Sequence, residues 1–135
     1  MEKRAEHIDS ISSQTDRLKA FNICSQCQMS WYQRNDFIES PSIKLIGYQA
    51  DFNEPTDGLF LFNHQVEECG VIMGVRVEKF IDLYTGPFYP DLKKDSDKCC
   101  SYCLDNMNLD PCDEPCSMAY IRSIIQTIKK KQNNA

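Results

Sequence analysis

Cysteine supplies most of the chemistry in this chain, with eight among 135 residues. Two of them, Cys24 and Cys27, are separated by two residues, and Cys69 stands alone. The other five lie close together near the carboxyl end: Cys99, Cys100, Cys103, Cys112 and Cys116. No secretory signal is recognised in the first residues, and disulfides are rare in a reducing compartment. This many thiols therefore indicates bound metal, with zinc as the default.

The carboxyl-terminal cysteines predict one complete set of ligands. Cys100 and Cys103 repeat the two-residue spacing, while Cys112 and Cys116 are four apart around Pro115, which suits the first turn of a helix. Four thiolates satisfy a tetrahedral ion. An iron–sulfur cluster is the alternative, although its usual cysteine spacings are not matched here.

The four remaining cysteines predict a second set, which brings the expected content to two zinc ions. Cys99 would join Cys24, Cys27 and Cys69. The side chains of the adjacent residues Cys99 and Cys100 diverge, so they can bind two neighbouring ions. His64, five residues before Cys69, is the alternative fourth ligand. Two simpler interpretations stay open, in which His64 is a polar residue at a strand end and Cys69 is a buried thiol that packs as a small hydrophobe.

The Cys24–Cys27 pair followed by strands resembles a zinc-ribbon element. Only residues 24 to 27, and with them 64 to 69, take part in the resemblance. It implies loops stapled by metal and carries no function with it.

Three rival interpretations of the cysteines are weighed against metal. A redox dithiol at Cys24 and Cys27 would need a strand before the pair and a helix after it, and this pattern is missing. The carboxyl-terminal cluster could serve redox or electron-transfer chemistry. A disulfide framework in an exported protein is the third, which the two-residue spacings disfavour.

Catalytic groups are scarce outside the cysteines. The chain has two histidines, His7 and His64, and no glycine-rich phosphate loop. The expectation is a non-enzymatic zinc-binding module, structural or regulatory, that contacts another protein.

Hydrophobic patterning predicts an α+β fold with a small three-stranded antiparallel sheet and helices at both ends. Strands are expected at residues 43–52, 59–62 and 71–77, and residues 78–84 are left unassigned between helical turn and strand. The carboxyl-terminal helix carries an apolar stripe of Met118, Ile121, Ile124, Ile125 and Ile128. An amphipathic helix is predicted over residues 1–20, and its seam, residues 8–18, offers a homodimer contact as one alternative.

Charge and length limit the classes of partner. The net charge is −5, which disfavours nucleic-acid binding, and no stretch is long enough to span a bilayer. A cytoplasmic location is expected. Residues 1–20 form an arm in this scheme, 21–131 a single cysteine-rich domain and 132–135 a disordered tail.

Overall fold

The computed structural model describes residues 20–94, 96, 97, 99 and 101–134. The predicted amino-terminal helix, apart from its last residue, lies outside this range, and so does Cys100.

A short ribbon opens the described chain. Strand β1 (Asn22–Ile23) pairs antiparallel with β2 (Ser30–Trp31), and helix α1 (Arg34–Ile38) follows. The sequence did not predict these elements, because two-residue strands are too short to display a period of two.

A three-stranded antiparallel sheet forms the centre of the fold, as predicted. Its strands are β3 (Ile43–Gln49), β4 (Leu59–His64) and β5 (Ile72–Arg76), in the order β3-β4-β5. Along β4 every second side chain is buried, ending at His64. A 3-10 turn at Pro55–Asp57 connects β3 to β4, and a second at Val77–Leu83 occupies the segment that the sequence left unassigned. The α+β class is confirmed.

Helix α2 (Ala119–Asn134) packs its predicted apolar stripe into the core. It begins after Pro115, which therefore lies ahead of the first turn and not within it. Helix α2 continues to Asn134, into the segment predicted as a tail at 132–135. The Gln132 side chain donates to the Ile38 and Ile43 carbonyls and accepts from the Leu45 amide, which ties the last turn to the sheet.

Among the described helices, none combines the length and apolar character needed to cross a membrane.

Gly47 lets the loop after Cys103 approach the sheet. The carbonyl of Asn106 accepts a hydrogen bond of 2.8 Å from the Tyr48 amide. A Cβ atom on Gly47 would lie 2.8 Å from the same carbonyl oxygen, closer than real contacts allow. The strand and the loop are therefore in contact only because residue 47 has no side chain.

We expect Gly47→Ala to lower the free energy of unfolding by about 1–3 kcal/mol, since either the strand or the loop must shift. Gly74→Ala is the matched control within the same sheet, because its Cβ would meet the movable side chain of Leu59 at 3.1 Å. Chemical denaturation measures both variants. An equal loss of stability in the two variants would show that the close approach of Gly47 to the Asn106 carbonyl adds no loss of its own.

Candidate metal centre

The first ligand loop joins β1 to β2 and spans residues 24 to 29. The Cys24 amide donates to the Met29 carbonyl, and the Gln28 amide donates back to the Cys24 carbonyl, each at 2.8 Å. Gln28 adopts a positive φ of 68°, which reverses the chain directly after Cys27. This tight turn directs both cysteine side chains to the same side.

The second ligand loop joins β4 to β5 and lies between His64 and Cys69. The His64 amide donates to the Val71 carbonyl, and the Gly70 amide donates to the His64 carbonyl. Glu68 and Gly70 both have φ of 70°, so the backbone bends sharply on either side of Cys69. The loop thereby returns the Cys69 sulfur to the end of β4.

Four ligand atoms from the two loops converge on one point. The Sγ atoms of Cys24, Cys27 and Cys69 and a ring nitrogen of His64 all lie within 4.8 Å of one another. Cys24 Sγ is 3.6 Å from Cys69 Sγ, too long for a disulfide. The Nδ1 atom of His64 is 3.4 Å from Cys69 Sγ and 3.7 Å from Cys27 Sγ.

These separations match a tetrahedral zinc site. Zinc–sulfur bonds of about 2.3 Å and zinc–nitrogen bonds of about 2.0 Å place two sulfurs about 3.8 Å apart and a sulfur about 3.5 Å from a nitrogen. The observed distances of 3.6, 3.4 and 3.7 Å lie close to both values. The cluster could therefore bind a metal ion with little rearrangement of the loops.

Backbone amides near the sulfurs change the pKa values of the cysteines in this cluster. Burial opposes ionisation of Cys24, but the amides of Cys27 and Gln26 and the side chain of His64 outweigh it and lower the pKa of Cys24 to about 6. At Cys69 the Val71 amide favours the thiolate, whereas burial and the neighbouring sulfurs of Cys24 and Cys27 raise the pKa above its usual value. Cys24 therefore ionises more readily than Cys69.

The single tryptophan of the chain lies against the site. The rings of Trp31 and His64 are 5.1 Å apart between centroids and meet at 79°. His64 is fully buried, and its Nε2 atom has no hydrogen-bond partner, so the ring is oriented by packing against Trp31. Trp31 in turn packs edge-on against Phe37, which connects the site to the core.

The fourth member of this cluster is His64, where the sequence first suggested Cys99. Cys99 instead lines a different cavity, together with Cys103, Cys112 and Cys116. The physical reason is the loop that closes β4 and β5, which brings His64 and Cys69 to the same edge of the sheet. The only signal in the sequence was the five-residue spacing between His64 and Cys69.

The carboxyl-terminal cysteines surround a cavity of about 30 Å³ beside the start of α2. Three of them, Cys103, Cys112 and Cys116, belong to the predicted set, whereas Cys100 falls outside the described residues. Arg122, which the sequence analysis did not single out, also lines the cavity. No disulfide joins any two of the cysteines that the structure describes.

Comparisons of the chain with models of protein families, with curated proteins and with solved structures found no match in any of the three.

The cluster of Cys24, Cys27, His64 and Cys69, here called the Cys24 site, should bind zinc more weakly as the pH falls. A plot of the logarithm of its zinc affinity against pH should change slope near 6, the pKa of Cys24. Above that pH the Cys24 proton has already left the metal-free protein. Below it, each ion that binds must displace one more proton, so the affinity falls more steeply with acid. Competition with a chelator of known proton dependence, followed by Trp31 fluorescence from about pH 5 to about pH 8, measures the slope. A constant slope across this range would contradict the lowered pKa.

Proposed function

We propose that the protein is a non-enzymatic zinc-binding module in which the ion at Cys24, Cys27, His64 and Cys69 holds the fold together. The observation that supports this most directly is the convergence of three sulfurs and one imidazole nitrogen from two loops. Three thiolates with one imidazole form a donor set that zinc prefers over magnesium or calcium, which take oxygen ligands. The two facing loops are consistent with the zinc-ribbon resemblance.

A structural role fits the coordination better than a catalytic one. Four protein ligands complete a tetrahedral zinc ion and leave no position for a reacting water. Cys24 and His64 are fully buried, so only the exposed Cys27 and the half-buried Cys69 face solvent in this cluster. The ribbon of β1 and β2 has only two residue pairs, which is too little to be stable alone and is the part that a metal would stabilise most.

The partner in this proposal is another protein. Met29 ends the first ligand loop and Tyr32 follows β2, and they are 45% and 51% exposed although both are large and apolar in character. Such residues beside a rigid loop suit a protein contact. The net charge of −5 supports a protein partner over a nucleic acid.

Purified protein prepared without added metal should contain zinc and be colourless. Cys27→Ser should lose one ion per chain, because one ligand of a closed site is missing. Ser25→Ala, in the same loop but outside the cluster, is the matched control and should keep its metal. Elemental analysis measures both variants. A brown protein with visible absorption would instead favour the redox and electron-transfer alternative.

Metal removal should unfold the ribbon and change the emission of Trp31, which packs against His64. We expect a strong chelator to alter the fluorescence of the wild-type protein and zinc to restore it. In Cys27→Ser the chelator should cause much less change, since the site is already impaired. Unchanged Trp31 fluorescence after a verified loss of zinc would contradict a structural role for this ion.

A further inference from the structure

The cavity beside the start of α2 combines four thiols with a buried cation. Its lining includes Cys99, Cys103, Cys112 and Cys116. Arg122, on the first turn of α2, faces the same cavity and is only 1% exposed. A buried guanidinium is costly unless negative charge compensates it.

Arg122 lacks such compensation from carboxylates. No ion pair of Arg122 occurs within the described part of the chain, and its Nε and Nη2 atoms have no hydrogen-bond partner. Its Nη1 atom donates only to the carbonyls of Asn108 and Asp110. The guanidinium lies over the rings of Tyr48 and Tyr102, at 5.3 and 5.7 Å, which stabilises a cation but does not neutralise it.

Backbone amides point at two of the cavity sulfurs. The Ser101 amide donates to Cys99 Sγ at 3.3 Å, and the Lys93 amide donates to Cys116 Sγ at 3.3 Å. The first repeats the arrangement of the Cys24 loop, where the amide two residues later bonds the sulfur. Such bonds favour thiolate over thiol.

We propose that this cavity is a second metal site, in which Cys99, Cys103, Cys112 and Cys116 bind a single zinc-like cation as thiolates. All four of these cysteines line the cavity. Four thiolates around a divalent ion carry a net charge of about −2, which is the missing counter-charge for Arg122.

Other charges at the cavity do not remove the need for this anion. Glu114 and Lys93 also line it, and their opposite charges cancel when both are ionised. Arg122 then remains the uncompensated group. The loops that carry the cysteines are already fixed to their surroundings, by Arg122 itself and by the 2.7 Å bond from Gln126 Nε2 to the Leu109 carbonyl.

The second site shares no ligand with the Cys24 site, so an experiment can contradict either proposal without the other. With zinc as the probe, the full chain should bind about two ions, and Cys112→Ser and Cys27→Ser should each bind about one. Only Cys27→Ser should change the response of Trp31. A wild-type content of one ion that Cys112→Ser retains would overturn the second site. A content of one ion that Cys27→Ser retains would overturn the first site and leave the second standing.

Cys99→Ser tests the fourth ligand and should lose the second ion, whereas Cys100→Ser should keep both ions. Retention of both ions in each variant would overturn the set of four thiolates. Cobalt substitution of Cys27→Ser provides a check that does not depend on folding stability, because a four-thiolate site gives stronger sulfur-to-cobalt absorption than one with three thiolates and an imidazole.

Variants of Arg122 and Gln126 separate the effect of the positive charge of Arg122 from its effect in holding the loop in place. Arg122→Met should weaken zinc binding at the second site about 10–100-fold, as expected for a group just outside the ligands, with the Trp31 response unchanged. Arg122→Lys should recover part of the affinity because it retains the charge. Gln126→Met removes a neighbouring anchor of the same loop without changing charge, and it should bind zinc normally. Equal weakening in Gln126→Met and Arg122→Met would overturn the electrostatic role.

Discussion

The convergence of Cys24, Cys27, His64 and Cys69 at one point is the constraint on which the proposed role of the metal depends. Three sulfurs and a nitrogen within 4.8 Å repel one another once the thiols ionise, and only a cation makes the arrangement favourable. The two ligand loops contribute two residues each and come from different sheets. A metal there would join the small ribbon to the edge of the central sheet, which neither element could achieve through its own few hydrogen bonds.

Aromatic packing carries this constraint into the core. His64 contacts Trp31, Trp31 contacts Phe37, and Phe37 contacts Phe62 on β4, with ring centroids 4.9 to 5.2 Å apart. The ligand and its supporting rings are therefore one packed unit, and a shift of the His64 ring must displace a buried phenylalanine. Dense interiors tolerate such shifts poorly. The orientation of Nδ1 toward the sulfurs follows from this packing, since Nε2 has no hydrogen-bond partner to fix the ring.

The elements predicted correctly are those with long periodic patterns. The apolar stripe of α2 and the alternation in β4 extend over enough residues for the period to be read. The ribbon of β1 and β2 has two residues in each strand and no pattern to read. It was harder to predict which cysteines share one site, because spacing along the chain does not say which loops meet. His64 meets Cys24 because two separate sheets pack together, and no local signal in the sequence encodes that packing.

The two proposed metal sites would stabilise their negative charge in different ways. At the Cys24 site a zinc ion with three thiolates and a neutral imidazole would carry about one negative charge, and the amides of Cys27, Gln26 and Val71 face its sulfurs. The proposed second site has a fourth thiolate in place of the imidazole and thus one more negative charge. Backbone amides reach the sulfurs of Cys99 and Cys116, and a buried guanidinium lies beside the cavity. The proposed donor set would account for the buried position of Arg122, because an apolar residue there would leave the larger negative charge without a partner.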